Sequence, residues 1–509
     1  MQRSESNGQP VAMGRMRLPA ERWALLLFTP VVLYLAVVNL AGYPPISGWD
    51  EGIFLQFSSN LAHYGEYATR SDGTFERMMP LASVGPTVIV PTALALLLGN
   101  DSLFAARVVP AIYLLIAVAG VYLLMRHLGG WVLAIVSIAL FLAAGYPAYD
   151  TLWLGRQVLG EVAALAFAFL GIWAWLKSWH GSSSWLIAST LLISLAVMTK
   201  NQLIWLLGPS IALVAFVDRI HHRQLRLVQA LAPLAGVILG YGASLLFSLW
   251  IVGPSGRASY LEAVQVASSV AFAHTGPHRW LENIKWYGRI GWLIALVTIG
   301  YGFYRSRERS LAGLNRLVLP VFASMALLGF VGLSFPWPRN LHSPLAFVAL
   351  CTAVLICDLA YWAGTRWRPE RLWTAAIVVL AVAVLAGPRL VGNVQRIMVP
   401  DDSSIERFAA LVDQQVPASS KILNWEWEIE FHSRHTFVHP PYQLSQVLFD
   451  EIFNRRQAAI LDELSIPPEL EYLIAGPFST RTQVFASALE KRPHRLLGNE
   501  GPYYLYQLY

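Results

Sequence analysis

"LASVGPTVIVPTALALLLG", residues 81–99, decides how this chain is threaded through its surroundings. The run is long and apolar enough to cross a hydrocarbon core about 30 Å thick, which takes roughly twenty helical residues. Yet it contains Gly85, Pro86 and Pro91 and follows Pro80. The basic residues on either side resolve the conflict. They collect at Arg3, Arg15, Arg17 and Arg22, at Arg126 with His127, at Lys177, and in the stretches 219–226, 305–316 and 366–371. The positive-inside rule assigns such clusters to the cytoplasmic side. If 81–99 crossed, every later cluster would face the wrong way. The stretch is therefore read as an interfacial or re-entrant helix on the outer face, where backbone groups freed by proline are buried on protein or wetted.

Composition supports a membrane setting. Of 509 residues, 56% are apolar and only 13% charged, the profile of a chain that uses lipid as solvent. The net charge of +6 could suggest nucleic acid. Because Arg and Lys sit between apolar runs and not along one basic face, it reads as topology, and no nucleic-acid partner is expected. Cys351 and Cys357 are six apart in one apolar run, so on a helix they point in different directions; neither a disulfide nor a metal is expected from them. "RWALLLFTPVVLYLAVVNLAG" is too long for a signal-peptide core and lacks a small-residue cleavage site, so it should remain as a helix.

The apolar runs predict eleven spanning helices, at 23–41, 105–126, 130–146, 160–177, 183–199, 203–218, 228–252, 288–304, 316–335, 341–362 and 372–391. The chain divides into a cytoplasmic tail (1–22), a transmembrane domain (23–397) and a soluble domain (398–509). An odd count places the amino end in the cytoplasm and the soluble domain outside, in a multi-pass cell-membrane protein with outer-face interfacial helices. No internal repeat is apparent. In the soluble domain, "SIERFAALVDQQV" and "TRTQVFASALEKR" have helical periodicity, while "KILNWEWEIEF", "EYLIAG" and "PYYLYQLY" read as strands, giving a small α/β fold. His432, His435 and His439 in "HSRHTFVH" fit no standard metal-ligand spacing, and a structural or surface role is expected.

With topology assigned, the remaining polar residues sort to one surface. The loop after the first span holds Asp50, Glu51, Glu66, Arg70, Asp72, Glu76 and Arg77. "YPAYDTLWLGRQVLGE" supplies Asp150, Arg156 and Glu161, Lys200 ends a helix in "LAVMTKNQ", and "FPWPRNLHSP" brings Arg339 and His342. Residues 253–287 add Arg257, Glu262, His274, His278, Arg279 and Lys285. Ionisable groups beside lipid are costly and are functional candidates by default; for Arg70, Asp72, Arg257, Arg279 and Lys285 a wetted interfacial role is the simpler reading. Asp50 and Glu51 differ. They open a segment whose Phe54, Phe57 and Leu61 recur at helical spacing, and acids at a helix start also cap it.

"SGWDEG" after the first span, "FERMMP", "GNDSLFAARVV" before the second span, "RQVLGE", "VMTK" and "PRN" before a late helix occur in an order that resembles the GT-C membrane glycosyltransferases. The nearest groups are the protein mannosyltransferases and the lipid A aminoarabinose transferase, and the resemblance covers residues 23–345. It implies transfer of a sugar from a polyprenyl-phosphate carrier to an extracytoplasmic hydroxyl or phosphate on a lipid, glycan or protein acceptor. It also implies that Asp50 is the catalytic base and that a second acid falls on Glu161, where relatives often have Asp-Pro. The family's Glu-Lys-Pro stretch resembles Glu76 and Arg77, with Arg for Lys and "MMP" for Pro, and Lys200 matches the Lys of "MTK". Glu51, Asp150, Arg156, Arg339 and His342 join the expected substrate-binding set.

The chemistry suits these residue types. A carboxylate within reach of an attacking hydroxyl removes its proton, typically worth about 10²–10⁴ in rate. Fixed cations such as Lys200, Arg339 and Arg77 meet the charge on the departing phosphate with little reorganisation. Direct displacement would invert the anomeric centre. Carboxylates and phosphate also suit a hard divalent cation, but the protein's own cations can do that work, so no cofactor is expected. Two other classes compete: a transporter or flippase of a lipid-linked sugar, and a noncatalytic assembly subunit.

Overall fold

The computed structural model describes residues 18–42, 48–77, 84–147, 149–273, 277–334, 337–366, 371–399, 403–440 and 469–509. Arg3, Arg15, Arg17, His274 and residues 78–83, which include the "MMP" of the motif and the start of the deciding stretch, lie outside them.

Helix Glu161–Ser178 is apolar on every side between one acid at its start and one lysine in its last turn. A helix hydrophobic all round belongs in the centre of a bundle, and 78% of this one is buried. Leu103–Gly129, Ser183–Thr199 and Leu227–Ala273 pack close by. The first helix is the opposite case. Only 17% of its window Ala20–Val37 is buried, and Trp23, Leu26, Leu27, Val31, Leu33 and Tyr34 stand exposed. So large an apolar surface is stable against lipid and not against water. The chain is a multi-pass membrane protein.

The deciding stretch folds as helix Pro86–Leu98. Proline at its first position removes an N–H that no helical partner would have met. Its 13 residues extend about 20 Å at 1.5 Å each, too short to cross. Gly85 starts it by donating its N–H to the Thr199 carbonyl, 2.9 Å away. A Cβ there would lie 1.8 Å from the Met198 carbonyl oxygen, so only glycine permits this approach.

Among the described residues seven helices are long and apolar enough to cross a membrane, or eight if Ala375–Leu385 and Gly387–Met398, bent by 53°, form one span. Eleven were expected. The three others are 130–146, where the helix is only Trp131–Leu142; 183–199, a 17-residue helix; and 288–304, which follows a break at Gly288 (φ 72°) inside Pro277–Arg305. Length and composition therefore establish a smaller number than the apolar runs suggested.

Charge sorts to the two ends of the bundle. At one end Glu21 meets Arg126 at 2.7 Å, the rings of His127 and His180 lie 6.2 Å apart, and His221 contacts the Arg307 carbonyl at 3.0 Å. Asp50, Asp150, Glu161, Lys200 and Arg339 occupy the other, as Glu161 and Lys177 at opposite ends of one helix require.

The carboxyl-terminal region follows the membrane helices with helix Ser404–Gln415 and a five-stranded mixed sheet. Its spatial order is 436–438, 421–423, 472–475, 503–508, 494–500; the first three strands are parallel and the last two antiparallel to their neighbours. Strands Tyr472–Ala475 and Tyr503–Leu508 lie where expected. The expected strand 421–431 ends at Leu423, and Trp427–Glu430 form a helical turn instead. The expected helix 480–492 is two short ones, Pro477–Thr482 and Ala486–Lys491.

Candidate active site

Helix Gly48–Tyr64 carries Asp50 and Glu51 in its first turn. Successive residues on a helix point about 100° apart, and that difference separates the two acids. Glu51 turns inward and is fully buried. Arg107 grips it through two hydrogen bonds, Nε to Oε1 at 2.8 Å and Nη2 to Oε2 at 2.5 Å, and the Val158 N–H adds a third at 3.0 Å. Arg107 also donates to the carbonyls of Leu40, at 3.2 Å, and Gly42. Among the described residues the donors to Glu51 are Arg107 and the Val158 N–H, so the carboxylate ties the second span to the 155–160 turn.

Asp50 faces the other way and accepts from Arg339 Nη1. Arg339 is held at the start of helix His342–Arg366 by the single turn Pro338–Leu341, with its guanidinium 5.3 Å from the Trp337 ring centre. Its Nε reaches Glu161 Oε1 at 3.0 Å. The same carboxylate receives Lys200 Nζ. Two acids and two bases from four separate segments thus form one chain: Asp50, Arg339, Glu161, Lys200. Glu161 Oε2 and His342 Nδ1 are buried atoms with no hydrogen-bond partner among the described residues. His342 is positioned through Nε2, 3.1 Å from Thr151 Oγ1. Such unmet polar atoms in a buried site are where a substrate hydroxyl gains most.

Asp150 caps the short helix Thr151–Leu154 by accepting from the Trp153 N–H at 3.0 Å, and its other oxygen meets Arg396 at 3.1 Å. Burial raises its pKa, against the lowering by these two donors. Arg156 is buried and donates to the Val38 carbonyl. Desolvation, with Arg107 nearby, pushes its pKa down to about 10. Asp150 and Arg156 therefore flank the chain of four and do not join it. Glu76 and Arg77 lie on the hairpin Ala68–Ser71 and Thr74–Arg77. Both nitrogens of the Arg77 fork are taken by Glu66, at 2.9 and 2.8 Å, with half of the side chain exposed. Among the described residues no hydrogen bond or ion pair joins this pair to the central acids.

The carboxyl-terminal domain closes directly over this end. At Gly52, two residues from Asp50, an added Cβ would lie 2.4 Å from the Glu428 nitrogen. Gln56 donates to Glu430, the Asp72 N–H to the Phe437 carbonyl at 2.8 Å, and the His439 N–H to Ser71 Oγ at 3.1 Å. His439 Nε2 contacts Glu430 at 2.5 Å and His435 Nε2 lies 3.6 Å from Asp413. Beneath, Glu428 is buried with Tyr503 donating to it at 3.0 Å. Burial, then the neighbouring Glu426, pushes its pKa up to about 8.

Arg107 and Arg396 were not among the expected residues. Arg107 stands in the quoted "AARVV" and its signal was legible, since an arginine inside a 27-residue apolar helix needs a buried counter-charge. Arg396 follows 246 residues after Asp150, and nothing in its local sequence announces the pairing.

Comparison with known proteins supplies three findings. Residues 84–250, less than half of the chain, match the family described as dolichyl-phosphate-mannose-protein mannosyltransferase. ArnT from Cupriavidus metallidurans bound to undecaprenyl phosphate is similar at TM-score 0.64 and 13% identity, covering 96% of this chain and 98% of that one. The oligosaccharyltransferase AglB from Archaeoglobus fulgidus, in complex with an inhibitory peptide and a dolichol-phosphate, is similar at TM-score 0.58 and 12% identity over 93% of this chain and 71% of that one. No curated protein sequence matches this chain significantly. At these identities the structural likeness is one of fold, and it extends through the membrane helices and the terminal domain.

Proposed function

From a membrane chain that has the GT-C glycosyltransferase fold, we propose an integral-membrane glycosyltransferase that moves a sugar from a polyprenyl-phosphate donor to an extracytoplasmic hydroxyl or phosphate acceptor. The amino terminus is cytoplasmic and the sheet domain outside. The observation that carries this reading is the linked chain Asp50–Arg339–Glu161–Lys200 at one end of the bundle. The mannosyltransferase family match and the lipid phosphates bound by the two similar structures support the donor class.

At rest Arg339 bridges both acids. A donor phosphate competes for that guanidinium, which suits bidentate binding of phosphate, and Asp50 is thereby released to act as base. Asp50 takes the acceptor proton as the acceptor oxygen bonds to the anomeric carbon. The bond from that carbon to the phosphate oxygen breaks, and the lipid phosphate leaves with the electron pair. Arg339 and Lys200 meet its charge in a site of low dielectric. Glu161 keeps Lys200 and Arg339 in place, and its open oxygen with His342 Nδ1 positions sugar hydroxyls. One displacement inverts the anomeric centre. The mechanism runs on these fixed cations and needs no divalent ion.

The test is a purified protein in liposomes with a panel of polyprenyl-phosphate sugars and acceptors, read by release of lipid phosphate. Asp50→Asn should abolish transfer while leaving the fold intact. If Asp50→Asn loses only translocation of the lipid-linked sugar, the chain is a transporter instead. An unchanged glycan profile in cells carrying Asp50→Ala would point to an assembly subunit.

A further inference from the structure

Residues 277–287 form the first arm of helix Pro277–Arg305, ahead of the break at Gly288. The arm is inside out for water. Trp280, Leu281 and Ile284 are exposed, whereas Arg279, Asn283 and Tyr287, spaced by four, are buried. Side chains at that spacing share one face of a helix, so the arm turns a polar face to the protein and an apolar one to lipid. An amide buried in this way is costly unless it is bonded. Asn283 is 0% exposed, and its Nδ2 donates to the carbonyls of Phe330, Val331 and Ser334 at 2.9, 3.2 and 3.0 Å. These carbonyls end helix Leu311–Leu333. The last turn of any helix leaves such groups without intrahelical partners, and beside lipid there is no water to meet them. The Asn283 amide, with two N–H groups shared among three acceptors, closes the helix instead.

That helix end leads straight to the transfer cluster. Arg339 follows Ser334 by five positions, a tether of at most about 18 Å even when fully extended. The arm also reaches the other flank of the cluster. Trp286 meets the Tyr146 ring edge-on at 5.4 Å, and strand Gly145–Tyr146 packs on the turn Pro338–Leu341 that carries Arg339. The angle of the arm is itself held. Past the break, the Trp292 indole donates to the Ile284 carbonyl at 2.9 Å, and its ring lies 4.9 Å from that of Tyr287. Gly288 has φ 72° and ψ 159°, a backbone region open essentially to glycine alone. We propose that Asn283 is a positioning residue for sugar transfer: by closing the end of helix Leu311–Leu333 it sets where the Arg339 guanidinium stands between Asp50 and Glu161. The inference rests on the transferase reading and extends it to a residue outside the chain of four. Misplacing a group by about 1 Å costs on the order of 10²-fold in rate, so a clamp remote from the chemistry is expected to show in turnover.

The test uses the full-length protein and two measurements. In the liposome transfer assay Asn283→Leu, which keeps the side-chain volume and removes the donors, should lower kcat/KM about 10- to 10²-fold. Asn283→Gln should recover part of that loss, and Lys285→Gln, on the exposed side of the same arm, should match wild type. Added to Arg339→Gln, Asn283→Leu should cost nothing further, because the position of an absent guanidinium has no effect; a purely structural role would lower both backgrounds equally. Gly288→Ala, which disturbs the arm with the amide intact, should act in the same direction and carries the test if Asn283→Leu does not fold. Hydrogen exchange followed by mass spectrometry needs no turnover. Without ligand, Asn283→Leu should speed exchange of the peptide 337–342 about tenfold or more while leaving helix Glu161–Ser178 unchanged. Faster exchange there in a protein whose wild type transfers nothing would keep the clamp and sink the transferase reading. A wild type that transfers while Asn283→Leu and Gly288→Ala match it, an equal loss in the Arg339→Gln background, or unchanged exchange at 337–342 overturns the proposal.

Discussion

Two neighbouring acids with different work can be told apart by stability. The Glu51 side chain is 0% exposed and that of Arg107 3%, and three donated hydrogen bonds end on the Glu51 carboxylate. Glu51→Gln leaves a buried guanidinium without its counter-charge, which costs about 3–5 kcal/mol. Against the total stability of about 5–15 kcal/mol for an ordinary protein, that is a large share. Asp50 sits in a pair whose side chains are 12% and 21% exposed, and Asp50→Asn keeps an acceptor for Arg339, so its cost should be nearer 1 kcal/mol. Unfolding in detergent, followed by circular dichroism, should therefore place Glu51→Gln far below Asp50→Asn. Removing both partners together, Glu51→Leu with Arg107→Met, should restore much of the loss and give a coupling of about 2 kcal/mol or more in a double-mutant cycle. Additive losses would refute the buried-pair argument. So would a Glu51→Gln protein as stable as wild type but unable to transfer, which would move the chemistry from residue 50 to residue 51.

Lys200→Gln and Arg339→Gln should each lower turnover about 10²–10³-fold, the usual effect of deleting one group that stabilises developing charge; released lipid phosphate is the readout. Transfer should continue in excess chelator, and activity restored only by adding Mg²⁺ or Mn²⁺ would replace the fixed-cation mechanism with a metal-assisted one. Glu428 has a pKa raised from 4.5 to about 8 by burial and then by Glu426. A carboxyl whose folded pKa is raised stabilises the fold fully below the unfolded value and loses that contribution as pH rises through the folded one. Melting temperature should accordingly fall between about pH 4.5 and 8, and Glu428→Gln should flatten that slope.

The reading of residues 81–99 as a helix that does not cross rested on prolines, a glycine and flanking charge, and the helix in its described part, Pro86–Leu98, has only 13 residues. Asp50, Glu161, Lys200 and Arg339 were each identifiable as polar groups in an apolar setting. Their order of pairing was not, since Arg339 and Asp50 are separated by 289 positions and only packing selects among so many candidate partners. The hairpin adds a pairing that the motif did not announce, since Arg77 meets Glu66 on the facing side of the hairpin. Three-residue strands such as Thr436–Val438 are too brief for periodicity to reveal, as is a helical turn such as Trp427–Glu430.

The backbone contact between Gly52 and Glu428 has an evolutionary corollary. A tail exchanged from a relative would collide with, or leave open, the turn that presents Asp50. The membrane part and its cover are thus expected to be inherited as one unit, and chimaeras divided near residue 400 to lose function even when each half is sound.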